Sequence, residues 1–282
     1  MSAEYSKETD LAKRFSFDFA GAQILGSRLN QQDFYAFVPP DQFEEEALLS
    51  VLADGMGGYE GGEIASENAV RSFVISFIEE LIPQPEALVQ ALNSANNAVK
   101  KSKKSNTQLN DMGTTLCAVY ICGNQLHFIS VGDSLIFLYR KGSIKQLNKI
   151  HTIGQILSEK LEQGQISHDE FEAEPMKNCL TSALVGEHLP SVDHGFNIPV
   201  EEGDVIIQTS DGILTIGAEG IENTYNFGGV NWPAANDAFR ILQSVQKANK
   251  QTQDNTTVAI IKIGIDSKSD NGEKDTLIIN RS

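Results

Sequence analysis

The sequence predicts an α+β fold of four layers, αββα, in which a central antiparallel β-sandwich is flanked by pairs of antiparallel helices. β-prone segments follow one another along the chain as meanders, which is typical of antiparallel pairing. Early helical segments come as a pair rather than singly between strands, which argues against a parallel βαβ arrangement. Each of these helices carries a wide apolar stripe that has to be buried against a flat surface. Stacked antiparallel sheets covered by helices satisfy all three observations.

The N-terminal half is predicted to supply the first strands and one helix pair. Residues 1–14 are polar and charged, and we expect them to form a flexible arm. Alternation of apolar and polar residues with period two then indicates strands. Apolar residues at helical spacing follow, with prolines between the two helical stretches. The expected elements are strands from Phe15, over 33–38 and over 47–53, and helices over 62–81 and from Pro83 to about 99.

The C-terminal half is predicted to contain further strands and one late helix. Residues 151–173 have weak helical character with a break at Gly164. The stretch with the least regular pattern, 151–178, is the expected substrate-selecting loop. The expected strands lie near 114–121, 126–131, 135–140, 180–185, 192–198, 204–209 and 256–264, and the expected helix, with Pro233 in its first turn, spans 233–249.

The chain length fits one domain. The 282 residues lie close to the roughly 250 that a single layered domain often reaches. We therefore expect one domain over 15–264, followed by a polar tail over 265–282. No stretch is apolar over the roughly 20 residues that a membrane-spanning helix needs.

Composition argues against some classes of partner. The net charge of −16 disfavours nucleic-acid binding, which relies on clustered Lys and Arg. The basic cluster over 100–104 is typical of a solvated helix end. The cysteines, Cys117, Cys122 and Cys179, lack the spacing of a zinc site and are expected to be buried thiols in a reducing compartment. We therefore expect a soluble, cytoplasmic protein that binds neither nucleic acid nor membrane. The sequence leaves the oligomeric state open, with a monomer as one possibility.

Three short segments place an aspartate at the end of a β-prone apolar run and next to glycine or asparagine. Asp54 and Asp211 each follow such a run, and Asp254 lies just before one. A single Asp-Gly pair is typical of a turn, because aspartate caps its own backbone and glycine accepts positive φ. Three carboxylates on rigid strand ends can converge on one point, where they repel one another unless a cation lies between them. The pattern indicates a site for a hard metal ion.

Two further features bear on phosphate binding. The glycines over 57–62 resemble a phosphate-binding loop but lack the Lys-Ser/Thr pair of a P-loop. They are expected instead to let the backbone pass close to an ion. Arg28 lies shortly before Asp33 and could clamp two oxygens of a phosphate beside bound metal ions. A surface salt bridge is the alternative interpretation of Arg28.

Taken together, these pieces resemble the metal-dependent protein phosphatase family, the type 2C serine/threonine phosphatases, in its bacterial single-domain version. The resemblance covers about residues 15–264, and the pieces occur in the family's order. Each piece is short, so the ordered set carries the resemblance. The matching pieces are Arg28 to Asp33, Asp54-Gly55-Met56-Gly57-Gly58, Gly113-Thr114-Thr115, Gly132-Asp133-Ser134, Ser210-Asp211-Gly212 and Asp254-Asn255-Thr256.

The resemblance implies a binuclear Mg²⁺ or Mn²⁺ centre, with Asp54 as the bridge between the two ions. Asp33 would hold metal-bound water, and Asp133 together with Asp211 would hold a third, weaker ion. Arg28 would bind the substrate phosphate, which makes Arg28 and Asp54 the expected catalytic residues. The full set of implied ligands to the two main ions is Asp33, Asp54, the carbonyl of Gly55, Asp211 and Asp254.

The activity implied by the resemblance is hydrolysis of phosphoserine and phosphothreonine in proteins. A water or hydroxide bridging the two ions would attack phosphorus directly, so no phosphoenzyme is expected. The implied partners are phosphoproteins made by a cytoplasmic serine/threonine kinase.

The chain departs from the family pattern at four positions. Gln31 and Gln32 stand where the family usually has Asn and Glu (or Gln), which is expected to disturb local hydrogen bonding more than metal ligation. Leu135 replaces an arginine, which removes a charged support but keeps the neighbouring carboxylate. Met56 stands where some relatives have a histidine as candidate acid, so metal-bound water is expected to take that role.

His151, Ser134 and the protein as a whole each have an alternative interpretation. His151 lies where relatives often have Asp-His-Ser and could act as an acid, although a lone histidine is more often structural. Ser134 matches a short serine-esterase signature, but the chain contains no Asp-x-x-His to complete it. A catalytically weak or inactive regulator that binds a phosphoprotein is the other alternative. Loss of the metal aspartates would mark such a regulator, and all of them are present.

Overall fold

The computed structural model describes residues 14–43, 46–58, 61–79, 86–228 and 232–266. Apart from Arg14, the expected arm over 1–14 lies outside the described residues. The expected tail over 265–282 lies outside them from residue 267 onward.

Eleven strands and six α-helices occur in the described part of the chain. The strands are β1 (Arg14–Ile24), β2 (Asp33–Val38), β3 (Ala47–Met56), β4 (Gly113–Thr114), β5 (Leu116–Cys122), β6 (Gln125–Val131), β7 (Leu135–Arg140), β8 (Ser143–Gln146), β9 (Asp193–Pro199), β10 (Val205–Thr209) and β11 (Thr256–Asp266). The α-helices are α1 (Gly61–Ile78), α2 (Ala87–Ser105), α3 (Ile153–Glu162), α4 (His168–Ala173), α5 (Gly217–Gly228) and α6 (Ala234–Lys247). Short 3-10 helices span Pro40–Gln42, Thr107–Leu109 and Asp211–Thr215.

The strands form two antiparallel sheets. The first sheet has the order β1-β11-β10-β7-β8, and the second has the order β2-β3-β5-β6-β9 with β4 added to β3. Helices α1 and α2 pack on the second sheet, and α5 and α6 pack on the first. The two sheets face each other across an apolar interior. The prediction of a four-layer αββα architecture is therefore confirmed.

The protein has three apolar layers, one between the two sheets and one between each sheet and its helices. Side chains that alternate between the two faces of a strand contribute to two of these layers at once. In β3, Leu48 and Leu52 point into the interior between the sheets, whereas Leu49 and Val51 point towards α1 and α2. In β10, Ile206 points between the sheets and its neighbours point towards α5 and α6. Successive side chains of a strand lie on opposite faces, so strands that are apolar on both faces have to lie between two covered surfaces.

Some predicted elements are wrong or were missed. Residues 180–185 form no strand; they make only isolated bridges, Thr114 with Leu184 and Thr152 with Leu180. The segment is apolar enough for a strand, but it has no continuous partner. β8 and α5 were not predicted, because β8 is a short polar edge strand and α5 follows directly on a 3-10 turn. Helix α6 begins at Ala234, with Pro233 as its N-cap rather than in its first turn.

Two further expectations concern membranes and cysteines. Among the described helices, none combines the length and the hydropathy needed to cross a bilayer. The prediction of three buried cysteines is wrong for two of them. Cys117 is buried, but Cys122 is partly exposed and Cys179 is exposed.

Candidate active site

The two N-terminal aspartates meet across a strand pair. Asp33 begins β2 and is the direct Cα partner of Asp54 on β3. Directly opposite residues of an antiparallel pair project from the same face, with their Cβ atoms about 5 Å apart. Like charges in that position destabilise the pair, so this register is unfavourable unless a proton or a cation lies between the two carboxylates.

Two more aspartates reach this position from the other sheet. Asp211 begins the 3-10 helix that follows β10, and Asp254 lies just before β11. β10 and β11 are antiparallel neighbours, so the end of one and the start of the other lie at the same edge. The side chain of Gln253 ties the two segments together by donating from Nε2 to the carbonyl of Gly212 at 3.0 Å.

Asp33 links the two sheets through one oxygen and leaves the other free. Its Oδ2 accepts hydrogen bonds from Ser210 Oγ at 2.7 Å and from Thr257 Oγ1 at 2.6 Å, both from the first sheet. Its Oδ1 is buried and has no hydrogen-bond partner. Burial raises the pKa of Asp33 to about 6, against the lowering effect of the two hydroxyl groups. The carboxylate is therefore held in one orientation with an unsatisfied oxygen available to a ligand.

The electrostatics of the cluster centre on Asp54. Burial raises the pKa of Asp54 well above its usual value, and the charges of Asp33, Asp211, Asp133 and Asp254 raise it further. The other four carboxylates are therefore close enough to Asp54 to affect its pKa. Among the described residues, no three Asp, Glu, His or Cys side chains already enclose a common point as metal ligands.

Asp133 and Asp211 show the same electrostatic repulsion. Burial, followed by the charges of Asp211 and Asp254, raises the pKa of Asp133 to about 7. Burial and Asp254 also raise the pKa of Asp211, against the opposing effects of Asp54, Arg28 and Lys250. A group of neighbouring carboxylates with raised pKa values is the electrostatic environment that a bound cation relieves.

Arg28 lies at the mouth of the site, on the loop between β1 and β2. Its Nη2 contacts Asp254 Oδ2 at 2.5 Å, and its side chain is 57% exposed. Asn255 holds both ends of this loop, since Nδ2 donates to the carbonyl of Leu25 and Oδ1 accepts from the amide of Gln32, each at 2.9 Å. The salt bridge expected as the alternative is present, and it lies within the acidic cluster.

The glycines near Asp54 permit close passage of backbone. An ideal Cβ on Gly55 would lie 2.0 Å from the carbonyl oxygen of Gly62 in the first turn of α1. Gly55 also donates its amide to the carbonyl of Gln32 at 3.0 Å. The structure thus accounts for Gly55 and Gly62 through packing of the end of β3 against α1. Residues 59 and 60 of the glycine-rich segment lie outside the described residues.

Thr115 supports the backbone of Asp54. Its Oγ1 accepts from the amide of Asp54 and its own amide donates to the carbonyl of Asp54, each at 2.9 Å. Thr115 Oγ1 also lies 2.7 Å from Ser134 Oγ. Ser134 is only 1% exposed, so its hydroxyl is not presented to a substrate and the esterase alternative has no geometric support.

The departures from the family pattern are accommodated locally. Gln31 accepts the amide of Asp33 on its Oε1 at 3.0 Å, and Gln32 donates to the carbonyl of Gly57 at 3.3 Å. Leu135 is buried in the apolar layer between the first sheet and its helices. His151 is also buried, and Nδ1 accepts the amide of Gly132 at 3.1 Å.

A cleft of about 680 Å³ opens over the cluster. Its lining includes Asp54, Asp133, Asp211 and Asp254 together with Arg28, whereas Asp33 is buried and does not line it. A cleft wall comes from residues 178–190, and the residues of this segment that line the cleft include no Asp, Glu, Lys or Arg. Of the expected substrate-selecting loop over 151–178, Asn178 alone is among the residues that line this cleft. The role of the loop in substrate selection stays a prediction. The wall residues are Asn178, Cys179, Leu180, Thr181, Ser182, Ala183, Val185, His188 and Pro190.

Four supporting residues were not singled out from the sequence. Ser210 and Thr257 orient Asp33, Thr115 holds Asp54, and Asn255 holds the loop of Arg28. Their only sequence signal is adjacency to a predicted aspartate or inclusion in a matching piece. Which way their side chains point depends on how the two sheets face each other.

Comparison with known proteins gives a consistent family. The family model described as Protein phosphatase 2C matches residues 20–215. The Serine/threonine phosphatase stp of Listeria welshimeri is 33% identical over 173 residues, which are 60% of this chain and 67% of that protein.

Solved structures with the same fold cover nearly the whole described chain. The Streptococcus agalactiae serine/threonine phosphatase superposes with a TM-score of 0.72 and 26% identity, covering 88% of this chain and 99% of that one. The catalytic domain of the serine threonine protein phosphatase PstP in complex with two manganese ions superposes with a TM-score of 0.70 and 26% identity, covering 89% of this chain and 99% of that one.

Proposed function

This chain belongs to the protein phosphatase 2C family, and from that premise we propose that it is a metal-dependent phosphoprotein phosphatase acting on phosphoserine and phosphothreonine. One observation carries the proposal from the structure. Asp33 and Asp54 face each other across β2 and β3, with further carboxylates close enough to raise the pKa of Asp54. A binuclear divalent-metal centre accounts for that arrangement.

The residues present fit two divalent cations. All candidate ligands are oxygen atoms, which suits Mg²⁺ and Mn²⁺. Asp33 Oδ1 is buried without a partner and available to a cation or its water. The two manganese ions of the PstP structure support the same number here. Asp54 would hold both ions, Asp33, the Gly55 carbonyl, Asp211 and Asp254 would be the other ligands, and Asp133 with Asp211 would hold a third, weaker ion.

The chain's own residues supply orientation and phosphate binding. Such ions, when bound, activate water and neutralise charge on phosphoryl oxygens. Arg28 exchanges its contact with Asp254 for two oxygens of the substrate phosphate, a geometry that suits its planar guanidinium. Ser210 and Thr257 keep Asp33 in its orientation. No side chain of the protein acts as nucleophile, so hydrolysis is direct.

We also propose substrates, a location and an assembly state for the protein. The substrates are phosphoproteins made by a serine/threonine kinase, and the protein works in the cytoplasm as a monomer. The strongly negative net charge supports protein substrates rather than nucleic acid. Gel filtration and fractionation of cells test assembly and location.

Phosphate release from a phosphothreonine peptide tests the proposal. Release should require Mn²⁺, stop with EDTA, and fall in Asp54→Asn and Asp211→Asn by more than the roughly 10- to 100-fold cost of losing an outer-shell partner. Asp41→Asn, an exposed aspartate away from the cleft, is the matched control and should be unaffected. Mn²⁺ should also raise the melting temperature of the wild type but not of Asp54→Asn.

Two outcomes would contradict the proposal. Release that survives both EDTA and the two aspartate substitutions would exclude the binuclear centre. Binding of the phosphopeptide without any turnover would favour the regulator alternative, which the retained carboxylates argue against.

A further inference from the structure

The turn between β6 and β7 carries Asp133 and is held on its C-terminal side by Asn148. Asn148 Nδ2 donates to the carbonyl of Ser134 at 2.9 Å, and its Oδ1 accepts the amide of Ile136 at 2.8 Å. Asn148 is 4% exposed. The residue that follows Asp133 is therefore fixed by a buried side chain from outside the turn.

His151 holds the N-terminal side of the same turn. Its Nδ1 accepts the amide of Gly132 at 3.1 Å, and its own amide donates to the carbonyl of Gly132 at 2.8 Å. Gly132 has φ of +100°, and an ideal Cβ there would lie 2.6 Å from Thr115 Cγ2. The turn thus lies between His151 on one side and Thr115, which supports Asp54, on the other.

His151 also joins the cleft wall. Its carbonyl accepts the amide of Thr181 at 2.8 Å. The next residues continue the contact, with the Ile153 amide donating to the Cys179 carbonyl at 3.0 Å. One short segment therefore touches both the Asp133 turn and the cleft wall.

We propose that His151 is a positioning residue that fixes the Asp133 carboxylate relative to the cleft wall, as a hydrogen-bond acceptor and not as a proton donor to substrate. The assignment rests on the proposed phosphatase function, in which Asp133 serves the third ion. An imidazole nitrogen accepts an N–H only when it is unprotonated, so the proton resides on Nε2. Burial lowers the pKa of His151, against the opposing charge of Asp193, and so favours the neutral ring.

The position of the ring separates this role from acid catalysis. A general acid has to come within hydrogen-bond reach of the leaving oxygen. His151 is 9% exposed and does not line the cleft, whereas Asp133 and Thr181, its neighbours on either side, do. The histidine therefore acts through the turn and the wall.

His151→Asn and His151→Leu test the proposal as a matched pair. The Oδ1 of asparagine takes the place of Nδ1 and accepts the Gly132 amide, whereas leucine of similar size accepts nothing. We expect kcat/KM at limiting Mn²⁺ to fall roughly 10- to 100-fold in His151→Leu, as for loss of an outer-shell partner. His151→Asn should keep most of the wild-type value, and the alkaline limb of the pH profile, which a proton donor would cause, should remain.

Hydrogen exchange of the metal-free protein supplies a readout that does not depend on activity. The amides of Gly132 and Thr181 should exchange faster in His151→Leu and as in the wild type in His151→Asn. If His151→Leu fails to fold, His151→Asn tests the positioning role alone. It should then retain both its activity and the slow exchange of the Gly132 and Thr181 amides.

Three results would overturn the positioning role. One is loss of activity in His151→Asn equal to that in His151→Leu, with loss of the alkaline limb, which would make the ring a proton donor, because a donor loses its proton as pH rises through its pKa. Another is a folded His151→Leu protein with unchanged exchange and activity. The third is fast hydrogen exchange of the Gly132 amide in His151→Asn. A wild-type protein without phosphatase activity would instead refute the proposed function, and exchange would still test the hydrogen bonds.

Discussion

Arg28 Nη2 lies 2.5 Å from Asp254 Oδ2, so the proposed phosphate ligand and a proposed metal ligand contact each other directly. Both side chains are more than a third exposed, at 57% and 36%. An exposed ion pair of this kind contributes about 0–1 kcal/mol to stability. The position of Arg28 is therefore better explained by what it does in the cleft than by stabilisation of the fold.

Arg28→Ala should reduce activity without reducing stability. Loss of the guanidinium removes a charge-assisted contact to phosphate that is worth more than a neutral hydrogen bond. We expect kcat/KM for a phosphothreonine peptide to fall at least about 10-fold, and the free energy of unfolding to change by less than about 1 kcal/mol. Steady-state kinetics and urea denaturation measure the two quantities.

Arg71→Ala is the matched control for Arg28→Ala. Arg71 forms an exposed pair with Glu67 at 2.8 Å on α1, away from the cleft. Its loss should leave both kcat/KM and stability nearly unchanged. Equal loss of activity in the two variants would indicate a general effect of surface charge, and unchanged activity in Arg28→Ala would remove the phosphate role.

Thr257→Val should weaken metal binding by releasing Asp33. The hydroxyl of Thr257 donates to Asp33 Oδ2 and lowers the pKa of that carboxylate. Without it the pKa of Asp33 rises, so protons compete better with Mn²⁺ and the carboxylate loses its fixed orientation. Calorimetric titration should show Mn²⁺ affinity reduced roughly 10- to 100-fold.

Thr257→Ser keeps the hydroxyl and should bind Mn²⁺ nearly as the wild type does. Ser210→Ala provides an independent test, because Ser210 donates to the same oxygen. Wild-type affinity in both Thr257→Val and Ser210→Ala would show that Asp33 needs no support from the first sheet.

Gly55→Ala should destabilise the junction of β3 and α1. The added Cβ would lie 2.0 Å from the carbonyl oxygen of Gly62, and that atom belongs to backbone that cannot move alone. Overpacking of this kind costs about 1–3 kcal/mol, which urea denaturation can measure. At Gly58 no atom lies within 4 Å of an ideal Cβ, so Gly58→Ala should stay within about 0.5 kcal/mol of the wild type. Equal stability of the two variants would contradict the close approach.

The layered fold could be predicted because its pattern is local. Strands such as β3 are apolar on both faces and helices such as α2 have one apolar stripe, and these periods depend on neighbouring residues alone. Residues 180–185 show the limit, since an apolar run becomes a strand only where a partner strand lies alongside. That partner is set by tertiary structure, which the sequence pattern does not contain.

The aspartates of the site could be predicted, but their supports could not. Asp54 and Asp211 stand out because glycine follows each of them after an apolar run. Ser210 and Thr257 look like ordinary strand-end residues, and their contact with Asp33 depends on how the two sheets pack face to face. The direction of His151 likewise follows from the pairing of its segment with the cleft wall, not from its own neighbours.

The metal-free protein should lose stability as pH rises from about 4 to about 7. Burial and neighbouring carboxylates raise the pKa of Asp33 to about 6 and that of Asp133 to about 7, from 3.8 in both cases. Between the unfolded and folded pKa values the folded protein holds protons that the unfolded chain has released. The free energy of unfolding therefore falls with pH across this window and stays low above it.

Asp133→Asn isolates this contribution from other titrating groups. The substitution removes one carboxyl group whose pKa is raised, and with it one of the charges that raise the pKa of Asp54. In EDTA, the melting temperature of the variant relative to wild type should be higher at about pH 8 than at about pH 5. Saturating Mn²⁺ should reverse the advantage at the higher pH, because the ions take the place of the protons. A variant that gains no relative stability at the higher pH would mean that Asp133 carries no repulsive charge in the metal-free protein.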